Sequence, residues 1–577
     1  MPLPPTGPSA DERHPLSDAI DQAVRRLADG AGRWVDRSLA SRAALIRATH
    51  ATIAESAEAW TAAAVTAKGD PGAQVEAEEW LSGPYAALGG FLGIAESLEL
   101  LAAGRSPAAG LRVGTAPGGR VTLRVLPGNA RDWTLLNGFT ADVWLRPGVS
   151  LDQAQKTAGL EARQPCGHGG VATVLGAGNV TSIGPLDVLN QLVAHNRASV
   201  LKVNPVLGGM LPVYRQALAP LIDADLLWLI AGGAEVGDML VHHPGISHVH
   251  LTGNRRTHDA IVWGVDEEAE RRRAANQPAI TTSVSSELGC VSPCIVVPGE
   301  WSRADLRYQA EQVVSQRLHN AGHNCIATQV LITSSDWPQR ADFLTEIRKV
   351  LHRLPHRSPW YPGSAQAMAQ LSETHLQAEL HDGCYLVDLP ARHSDDLFEK
   401  EFFGPALAHT TLPGTGSAYL REATNFANDR LDGTLGAAII VAPETRRAMG
   451  PAFDETIAQL RYGAIGINVW TGFIFALQSA PWGAYPGHSL DDPGSGMGVV
   501  HNSFLLAGTE RVVAEGPFRP FPQSLALLRH GRLALFPKPQ WFVTSRSAVE
   551  TGRRMVEYAK NPAWSRLLRV LPAAFRS

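Results

Sequence analysis

Helical spacing of apolar residues dominates the first part of the chain. From Asp18 to about Leu101 apolar residues recur every three or four positions, as in GRWVDRSLASRAALIRATHATIAES, which predicts a layer of helices. Between Arg112 and Arg146 the pattern changes to β-branched and aromatic runs separated by Pro-Gly and Asn-Gly. Such runs predict strands joined by turns.

Short apolar runs that end in Gly or Asn then alternate with helical stretches. They are GGVATVLGAGN, SVLKVNP, DLLWLIAGG and ISHVHLTG. This rhythm predicts a parallel, doubly wound sheet with ligand sites at the carboxyl ends of its strands. A second block, from about Cys294 to Ala480, contains PCIVV, TQVLIT, GAAIIVA and AIGINVW and predicts a second α/β domain. The charged stretch GVDEEAERRRAANQP between the blocks predicts a solvated helix or insertion.

Composition limits the classes of partner. The 577 residues carry a formal charge of -4, which gives no general attraction to nucleic acid, so no nucleic-acid partner is expected. Five scattered cysteines indicate reduced thiols and a cytoplasmic protein. The longest apolar stretches considered, such as LGAAIIVA, are too short to cross a bilayer, and no transmembrane segment is expected.

Two regions invite a functional interpretation. The histidines of HHPGISHVH (242–250) lack an accompanying set of carboxylates or cysteines, and we expect no metal site there. Residues 530–577 contain nine Lys or Arg and only two Glu. With its aromatic and leucine residues, this basic tail is expected to pack on a neighbouring subunit or, alternatively, to make peripheral contact with a membrane.

A cysteine and a glutamate suggest the chemistry. Cys325 lies in HNAGHNCIATQ (319–329) and Glu287 in SSELGCVSP (285–293). A thiolate can add to an aldehyde carbonyl and hold the acyl group as a thioester once hydride has left, and a base can then activate water. The pair therefore favours aldehyde oxidation through a covalent intermediate.

Several fragments, in order, resemble those of the aldehyde dehydrogenase superfamily over roughly residues 30–510. They are GAGN (176–179), SVLKVNP (199–205), VHLTGNRRTHDAI (249–261), SELG (286–289), NAGHNC (320–325), EFFGP (401–405), GINVW (466–470) and APWGA (480–484), followed by GSGMG (494–498). The resemblance implies an aldehyde dehydrogenase-like α/β fold. It has a Rossmann-like nucleotide domain, an α/β catalytic domain and oligomerisation strands that bridge the subunits of a homodimer or homotetramer.

The resemblance also implies a division of the chain into domains and segments. They are a disordered leader (1–17), a nucleotide-binding domain (18–290) with bridging strands near 112–147, a catalytic thiol domain (291–485), an oligomerisation or return segment (486–510) and a basic C-terminal extension (511–577).

Catalytic roles follow for three residues by the same resemblance. Cys325 is the nucleophile, Glu287 the base, and Asn179 the oxyanion-hole amide, which would act with the Cys325 backbone N–H. Relatives that transfer the acyl group to coenzyme A lack a base at the position of Glu287. Its presence favours water as the acceptor and a free carboxylic acid as the product.

Cofactor contacts are implied for five more residues. Lys202 would hold the adenosine ribose, and Gly253 with Asn254 would meet the pyrophosphate at a helix start. Glu401 would hold the nicotinamide ribose, with Phe403 near the ring plane. The expected cofactor is NAD or NADP.

Departures from the family pattern keep the choice of cofactor open. Pro205 stands where NAD-preferring relatives carry a ribose-binding Glu, and His258 replaces the second glycine of the phosphate turn. We hypothesise that Arg255 or Arg256 pairs with a 2′-phosphate of NADP. His323 replaces the usual Gln before the thiol, and it either assists thiolate formation or shapes the loop.

The sequence thus favours NAD(P)-dependent oxidation of a small-molecule aldehyde to an acid. Cys290 and Val291 depart from the usual Gly-Lys after Glu-Leu-Gly. A coenzyme A-acylating reductase and a catalytically silent binding protein of the same fold are the alternatives. Trp470 and Phe473 either line a tunnel for an apolar substrate or pack in the core.

Overall fold

A computed structural model describes residues 16–69, 72–163, 169–520 and 534–577. The disordered leader predicted at residues 1–17 therefore lies almost entirely outside the described residues. Cys166 and the whole segment from 521 to 533 lie outside them as well.

The predicted N-terminal layer is helical. Its helices are Ser17–Asp36, Leu39–Ala67, Ala73–Trp80 and Ala86–Ala102, the last two joined by the π-helical turn Leu81–Tyr85. Ser38 caps the second helix by accepting from the Ser41 N–H. The buried side chains of Trp34, Trp60 and Phe91 join this layer to the nucleotide sheet in one hydrophobic core.

One helical run in the described residues, Ala73–Ala102, is long and apolar enough to cross a membrane by length and composition alone. The sequence predicted it as part of the helical layer and not as a candidate membrane span. In the fold, 56 % of its most apolar window is buried, and it packs against helix Leu39–Ala67. A core helix passes the same test, so the run is weak evidence for a membrane span.

The first predicted α/β block forms a six-stranded sheet with five parallel strands and one short antiparallel edge strand. In spatial order the strands are Gly496–Met497, Ser283–Leu288, His248–Gly253, Gly170–Leu175, Arg197–Val203 and Leu227–Ala231. The helical segments of this region are Leu151–Thr157, Leu160–Arg163, Ile183–His195, Pro205–Met210, Leu211–Ala217, Ala219–Asp223, Ala234–Val241, Arg255–Trp263 and Ala269–Ala274. The charged stretch predicted as a solvated helix is the last of these, with no buried residue.

The second block belongs to an eleven-stranded sheet. In spatial order its strands are Arg112–Ala116, Arg120–Leu126, Thr140–Leu145, Thr509–Glu515, Ala464–Ile467, Gly436–Ile440, Ser292–Val296, Thr328–Ser334, Ala406–Leu412, Cys384–Asp388 and Glu379–His381. Its helical segments are Ala130–Leu135, Arg303–Leu318, His319–Gly322, Arg340–Leu351, Ser364–Thr374, Asp396–Glu399, Gly416–Arg430, Pro443–Met449, Pro451–Gln459 and Gly472–Ala476.

The strands expected to bridge subunits extend the catalytic sheet of their own chain. Strand Thr140–Leu145 pairs with Thr509–Glu515, which in turn runs parallel to Ala464–Ile467. The predicted boundary between residues 510 and 511 falls inside strand Thr509–Glu515, and the division of the chain into domains stays a prediction. The segment that leaves the sheet starts only after Glu515, and the dimer or tetramer stays a prediction.

The end of the chain packs on the same subunit. Helices Ala548–Lys560 and Trp564–Ala574 pack against each other, and the first contacts helix Ala73–Trp80 near the N-terminus. His50 Nε2 lies 3.2 Å from the Ala559 carbonyl. Packing on a neighbouring subunit and membrane contact by this tail both stay predictions.

Candidate active site

The predicted site residues come together in one cleft of about 950 Å³ between the two sheets' strand ends. Its lining includes all eight: Asn179, Lys202, Gly253, Asn254, Glu287, Cys325, Glu401 and Phe403. Four of the eight lie at or directly after the carboxyl ends of parallel strands, where doubly wound sheets place their ligand sites. Their shared location agrees with the roles implied by the sequence, which stay predictions.

Cys325 follows a backbone turn that few residues tolerate. Asn320, Ala321 and Gly322 all have positive φ angles, of 56°, 52° and 81°. A side chain on Gly322 would place its Cβ 2.5 Å from the Gly404 carbonyl oxygen. Strained turns of this kind persist only where the surrounding structure holds them, and they concentrate at functional sites.

Buried charges hold the turn from one side. Asn320 donates its backbone N–H to Glu78 Oε2 at 2.9 Å, and its side-chain oxygen accepts from Lys68 Nζ at 2.6 Å. Lys68 also forms a buried ion pair with Glu79. Arg357 donates to Glu78 Oε1 at 2.7 Å. Each charge of this set lies beside an opposite charge, which favours its burial while the set fixes the turn.

Arg317 holds the turn from the other side. Its guanidinium donates to the Gly322 carbonyl at 3.0 Å and to the Phe402 carbonyl at 2.9 Å, and it also bonds the Gly404 carbonyl. The same side chain thus joins the thiol turn to the Glu-x-Phe-Gly-Pro segment. The nucleophile and the proposed nicotinamide-ribose contact are positioned as one unit.

The thiol and the carboxylate are in direct contact. Cys325 Sγ lies 3.5 Å from Glu287 Oε1 and donates to it. Burial raises the pKa of Glu287 to about 7, an effect strengthened by Asp187 and partly offset by the Trp482 indole, Cys325 and His250. Burial, followed by the charges of Glu287 and Glu401, raises the pKa of Cys325 well above its usual range. The resting pair is therefore a neutral thiol beside a carboxyl group that titrates near neutrality.

Asn179 is oriented by the same loop. Its Nδ2 donates to the His323 carbonyl at 3.0 Å, and its own carbonyl accepts from Asn320 Nδ2 at 3.1 Å. A primary amide has two N–H donors, so one remains for a substrate oxygen. This geometry is compatible with an oxyanion hole.

A second, apolar cavity of about 70 Å³ also reaches the thiol. It shares Asn179, Ile183 and Cys325 with the large cleft, so the two cavities meet at the Cys325 thiol. Its aromatic lining is Trp470, Phe473, Phe475, Trp482 and Trp541. Trp470 and Phe473 line this cavity and are also buried in the hydrophobic core, so the structure contains features of both interpretations of the sequence.

The large cleft has features that suit a dinucleotide. Glu401 Oε1 is buried and has no hydrogen-bond partner among the described residues, and burial raises the pKa of Glu401 to about 8. A Cβ on Gly289 would overlap the Glu401 carboxyl group. Helix Arg255–Trp263 begins in the cleft, where Asn254 caps it by accepting from the Thr257 N–H. The cleft is therefore lined both by Glu401, a buried acceptor suited to ribose hydroxyls, and by the start of a helix, which is suited to phosphate.

Four further residues of the cleft were missed from the sequence: Asn204, Thr257, Tyr361 and Ser364. Asn204 directly follows a predicted strand end, and Thr257 lies in the first turn of the helix after another, which was the available signal. Tyr361 packs edge-on against Phe403, with ring centroids 4.9 Å apart. It comes from a Pro- and Gly-rich connection far along the chain, and no local pattern predicted its contact with Phe403.

His323 shapes the loop and carries no charge at neutral pH. Burial lowers its pKa to about 3. Its ring packs on Trp360, Tyr361 and Phe403, and its Nε2 lies 3.0 Å from Ser364 Oγ. A neutral imidazole gives no cationic assistance to a thiolate, so of the two alternatives left open the structure supports loop shaping.

The hypothesis that Arg255 or Arg256 meets a 2′-phosphate is not supported by their positions. Neither residue lines the cleft, and Arg255 lies within 3.7 Å of Asp432 and 3.6 Å of Asp492. Lys202 does line the cleft, and burial lowers its pKa. The cation available to a ribose or its phosphate is therefore Lys202.

The histidine-rich strand forms hydrogen bonds inside the sheet. His248 lies 2.8 Å from both Ser283 Oγ and Ser285 Oγ, and His250 lies 2.8 Å from Ser285 Oγ and 3.5 Å from Asp187. Within the described parts of the chain, no group of three or more His, Cys, Asp or Glu is arranged to hold a metal ion.

Comparison with known proteins agrees with this geometry. Residues 170–378 match the model of the aldehyde dehydrogenase family, a range that contains Asn179, Lys202, Glu287 and Cys325. Over this part of its length the chain is similar to aldehyde dehydrogenases. The superfamily resemblance read from the sequence is thus confirmed.

The individual relatives that match the chain are distant. The chain is 28 % identical to N-succinylglutamate 5-semialdehyde dehydrogenase of Sphingopyxis alaskensis over 142 residues, 24 % of this chain and 26 % of that protein. Matches to the first three curated relatives cover between 26 % and 56 % of their own lengths. Such partial matches leave the activity and substrate to be proposed.

Solved structures support the fold over most of the chain. The NADP-dependent glyceraldehyde-3-phosphate dehydrogenase from Bacillus halodurans, complexed with NADP, aligns with a TM-score of 0.57 at 19 % identity, covering 87 % of this chain and 91 % of that one. The NAD-dependent aldehyde dehydrogenase from Sinorhizobium meliloti aligns with a TM-score of 0.55 at 18 % identity, covering 88 % of each chain. The predicted aldehyde dehydrogenase-like α/β fold is confirmed.

The thiol turn provides a test of this architecture. Gly322→Ala forces a side chain into a left-handed position, at a cost of about 1–2 kcal/mol, and also against the Gly404 carbonyl. We expect alkylation of Cys325 by iodoacetamide to slow by about tenfold or more, because a small displacement misaligns the thiol. Mass spectrometry of the labelled peptide measures the rate.

Gly148→Ala is the matched control, because Gly148 has a φ of +84° with nothing within 4 Å of its Cβ position. It should share the stability loss and leave the labelling rate unchanged. Equal labelling rates in both variants would show that the turn does not position the thiol.

Proposed function

We propose that the protein oxidises an aldehyde to a carboxylic acid with NAD or NADP, through a thioester on Cys325 that water hydrolyses. The observation that carries the proposal is the 3.5 Å contact between Cys325 Sγ and Glu287 Oε1 at the point where the two cavities meet. An aldehyde entering from the apolar cavity would meet the thiol, the base and the cofactor cleft together.

The first step uses the thiol and its neighbour. Cys325 gives its proton to the Glu287 carboxylate while sulfur bonds to the carbonyl carbon, and the carbonyl oxygen becomes an oxyanion. The free N–H of Asn179 and the Cys325 backbone N–H stabilise that oxygen. Bound NAD or NADP supplies the hydride acceptor for the tetrahedral carbon.

The second step returns the thiol. Glu287 releases the proton it gained and then takes one from water as the water oxygen attacks the thioester carbon. The carbon–sulfur bond breaks, the acid leaves, and Cys325 regains a proton. A carboxyl group with a pKa of about 7 suits this repeated gain and loss of a proton at neutral pH.

Cofactor binding is assigned to the residues that line the cleft. Gly253 and Asn254 would hold the pyrophosphate at the start of helix Arg255–Trp263, and Lys202 the adenosine ribose. Glu401 would accept from the nicotinamide ribose, with Phe403 and Tyr361 packing near the ring. Both an NAD-dependent and an NADP-dependent enzyme lie among the structural neighbours.

Lys202→Ala tests the cofactor assignment. We expect Kd for NAD and for NADP, titrated separately by calorimetry, to rise by about tenfold, because a hydrogen bond from a charged group is lost. Lys156→Ala, on an exposed side chain, should leave both values unchanged. A Kd unaffected by the Lys202 change would remove this residue from the cofactor site.

Glu287→Gln tests the choice of acceptor. Acylation can still release reduced cofactor, but the thioester then lacks its base, so we expect a burst of reduced cofactor followed by turnover about 10²- to 10⁴-fold slower than wild type. Stopped-flow absorbance measures both phases. Cys325→Ala should abolish the burst.

Adding coenzyme A distinguishes the hydrolytic reaction from that of a coenzyme A-acylating enzyme. If coenzyme A restores turnover in Glu287→Gln, or if the wild type turns over only with it, the hydrolytic proposal is wrong. Aldehyde turnover by Cys325→Ala equal to that of the wild type, or no turnover of any aldehyde, would instead favour the silent binding protein.

Cytoplasmic localisation stays a prediction.

The pH dependence follows from the raised pKa of Glu287. The carboxyl group is neutral below about pH 7 and a base above it, so the steady-state rate should fall as pH drops through 7. A rate profile measured across this range should show that acidic limb in the wild type. The residual rate of Glu287→Gln should show no acidic limb. If the variant keeps that limb, a group other than Glu287 causes it.

A further inference from the structure

The cavity beside Cys325 is closed partly by the C-terminal segment, residues 534–577. Trp541 belongs to this segment and lines the cavity together with Trp470, Phe473 and Cys325. Its ring centroid lies 5.4 Å from that of Phe473 and 6.0 Å from that of Phe139. A residue more than two hundred positions after the nucleophile thus forms part of the wall in front of it.

Neighbouring residues hold Trp541 in place. Phe542 packs on Tyr308 with ring centroids 5.2 Å apart. The Val543 N–H donates to Ser315 Oγ at 3.1 Å, and Thr544 Oγ1 donates to Glu311 at 2.9 Å. The three residues after Trp541 are therefore bound to helix Arg303–Leu318, the helix that leads into the thiol turn.

Electrostatics exclude a charged substrate from this cavity. Among the described residues that line it there is no Lys, Arg, Asp or Glu, and the lining histidine, His319, is neutral at pH 7 because burial lowers its pKa to about 4. A carboxylate or phosphate would lose its water there and gain no countercharge, which is strongly unfavourable. An alkyl or aromatic group would gain contact with five aromatic rings.

We propose that the C-terminal segment completes the aldehyde-binding chamber and that Trp541 determines its specificity, selecting aldehydes with a short, uncharged, apolar side chain. The inference rests on the proposed function, because it takes the cavity to be the route by which the aldehyde reaches Cys325. It gives the C-terminal extension a direct part in substrate choice.

Truncation of the wall gives the first test. Trp541→Ala should raise KM for short straight-chain aldehydes on the order of tenfold, because apolar contact in the ground state is lost, while kcat changes little. The preferred chain length should move to longer members of the series. Trp541→Phe, which keeps a ring, should lie between the wild type and Trp541→Ala.

Two controls accompany these variants. Trp564→Ala removes a tryptophan that is 49 % exposed on the same C-terminal segment, and it should leave the chain-length profile unchanged. A matched series of aldehydes with a terminal carboxylate should be poor substrates of the wild type. A wild-type preference for the carboxylate series, or a profile shared by Trp541→Ala and Trp564→Ala, would overturn the proposal.

Covalent labelling separates this proposal from the proposed function. The rate at which N-hexylmaleimide modifies Cys325, relative to iodoacetate, needs no turnover and reports on the chamber alone. Trp541→Ala should change that ratio and Trp564→Ala should not. An altered ratio without any aldehyde oxidation would support the chamber proposal and reject the proposed reaction. Cys325-dependent oxidation with an unaltered ratio would support the proposed reaction and reject the chamber proposal.

Discussion

The contact between the Cys325 thiol and the Glu287 carboxyl group is the constraint on which the rest of the site depends. Both groups are largely removed from water, and burial raises the pKa of each. Two negative charges 3.5 Å apart in such surroundings repel strongly, so the pair holds one charge far more easily than two. In the proposed reaction a single base can therefore serve the thiol first and water later, because burial disfavours ionisation of both partners at once.

Keeping these groups close requires a backbone that local preferences oppose. The left-handed turn at Asn320–Gly322 is held by buried charges from the N-terminal helices and from Arg357 and Arg317. Removing one partner from such a buried set typically costs about 3–5 kcal/mol, since the other charge is left unpaired. The N-terminal layer thus has a second role besides covering the nucleotide sheet, because Lys68 and Glu78 reach the thiol turn directly.

Much of this could be predicted from the sequence where the signal is local. Apolar strands that end in Gly, Asn or Lys fix where Asn179, Lys202 and Gly253 lie, because parallel strands present their carboxyl ends on one edge. Contacts between distant segments could not be predicted. Tyr361 meets Phe403 through a connection with no periodic pattern, and Arg255 pairs with Asp432 and Asp492 across the domains, although the sequence suggested a phosphate contact.

The C-terminal extension contacts both the N-terminal helix that holds the thiol turn and the apolar cavity in front of the thiol. Helix Ala548–Lys560 packs so closely on helix Ala73–Trp80 that a Cβ on Gly552 would lie 2.9 Å from the Trp80 Cβ. That N-terminal helix carries Glu78, which accepts from the Asn320 backbone N–H. Earlier in the same extension, Trp541 closes the apolar cavity. One segment is therefore packed against the element that holds the thiol turn and against the space in front of the thiol, so a shift of the extension would alter both the position of the Cys325 thiol and access to it.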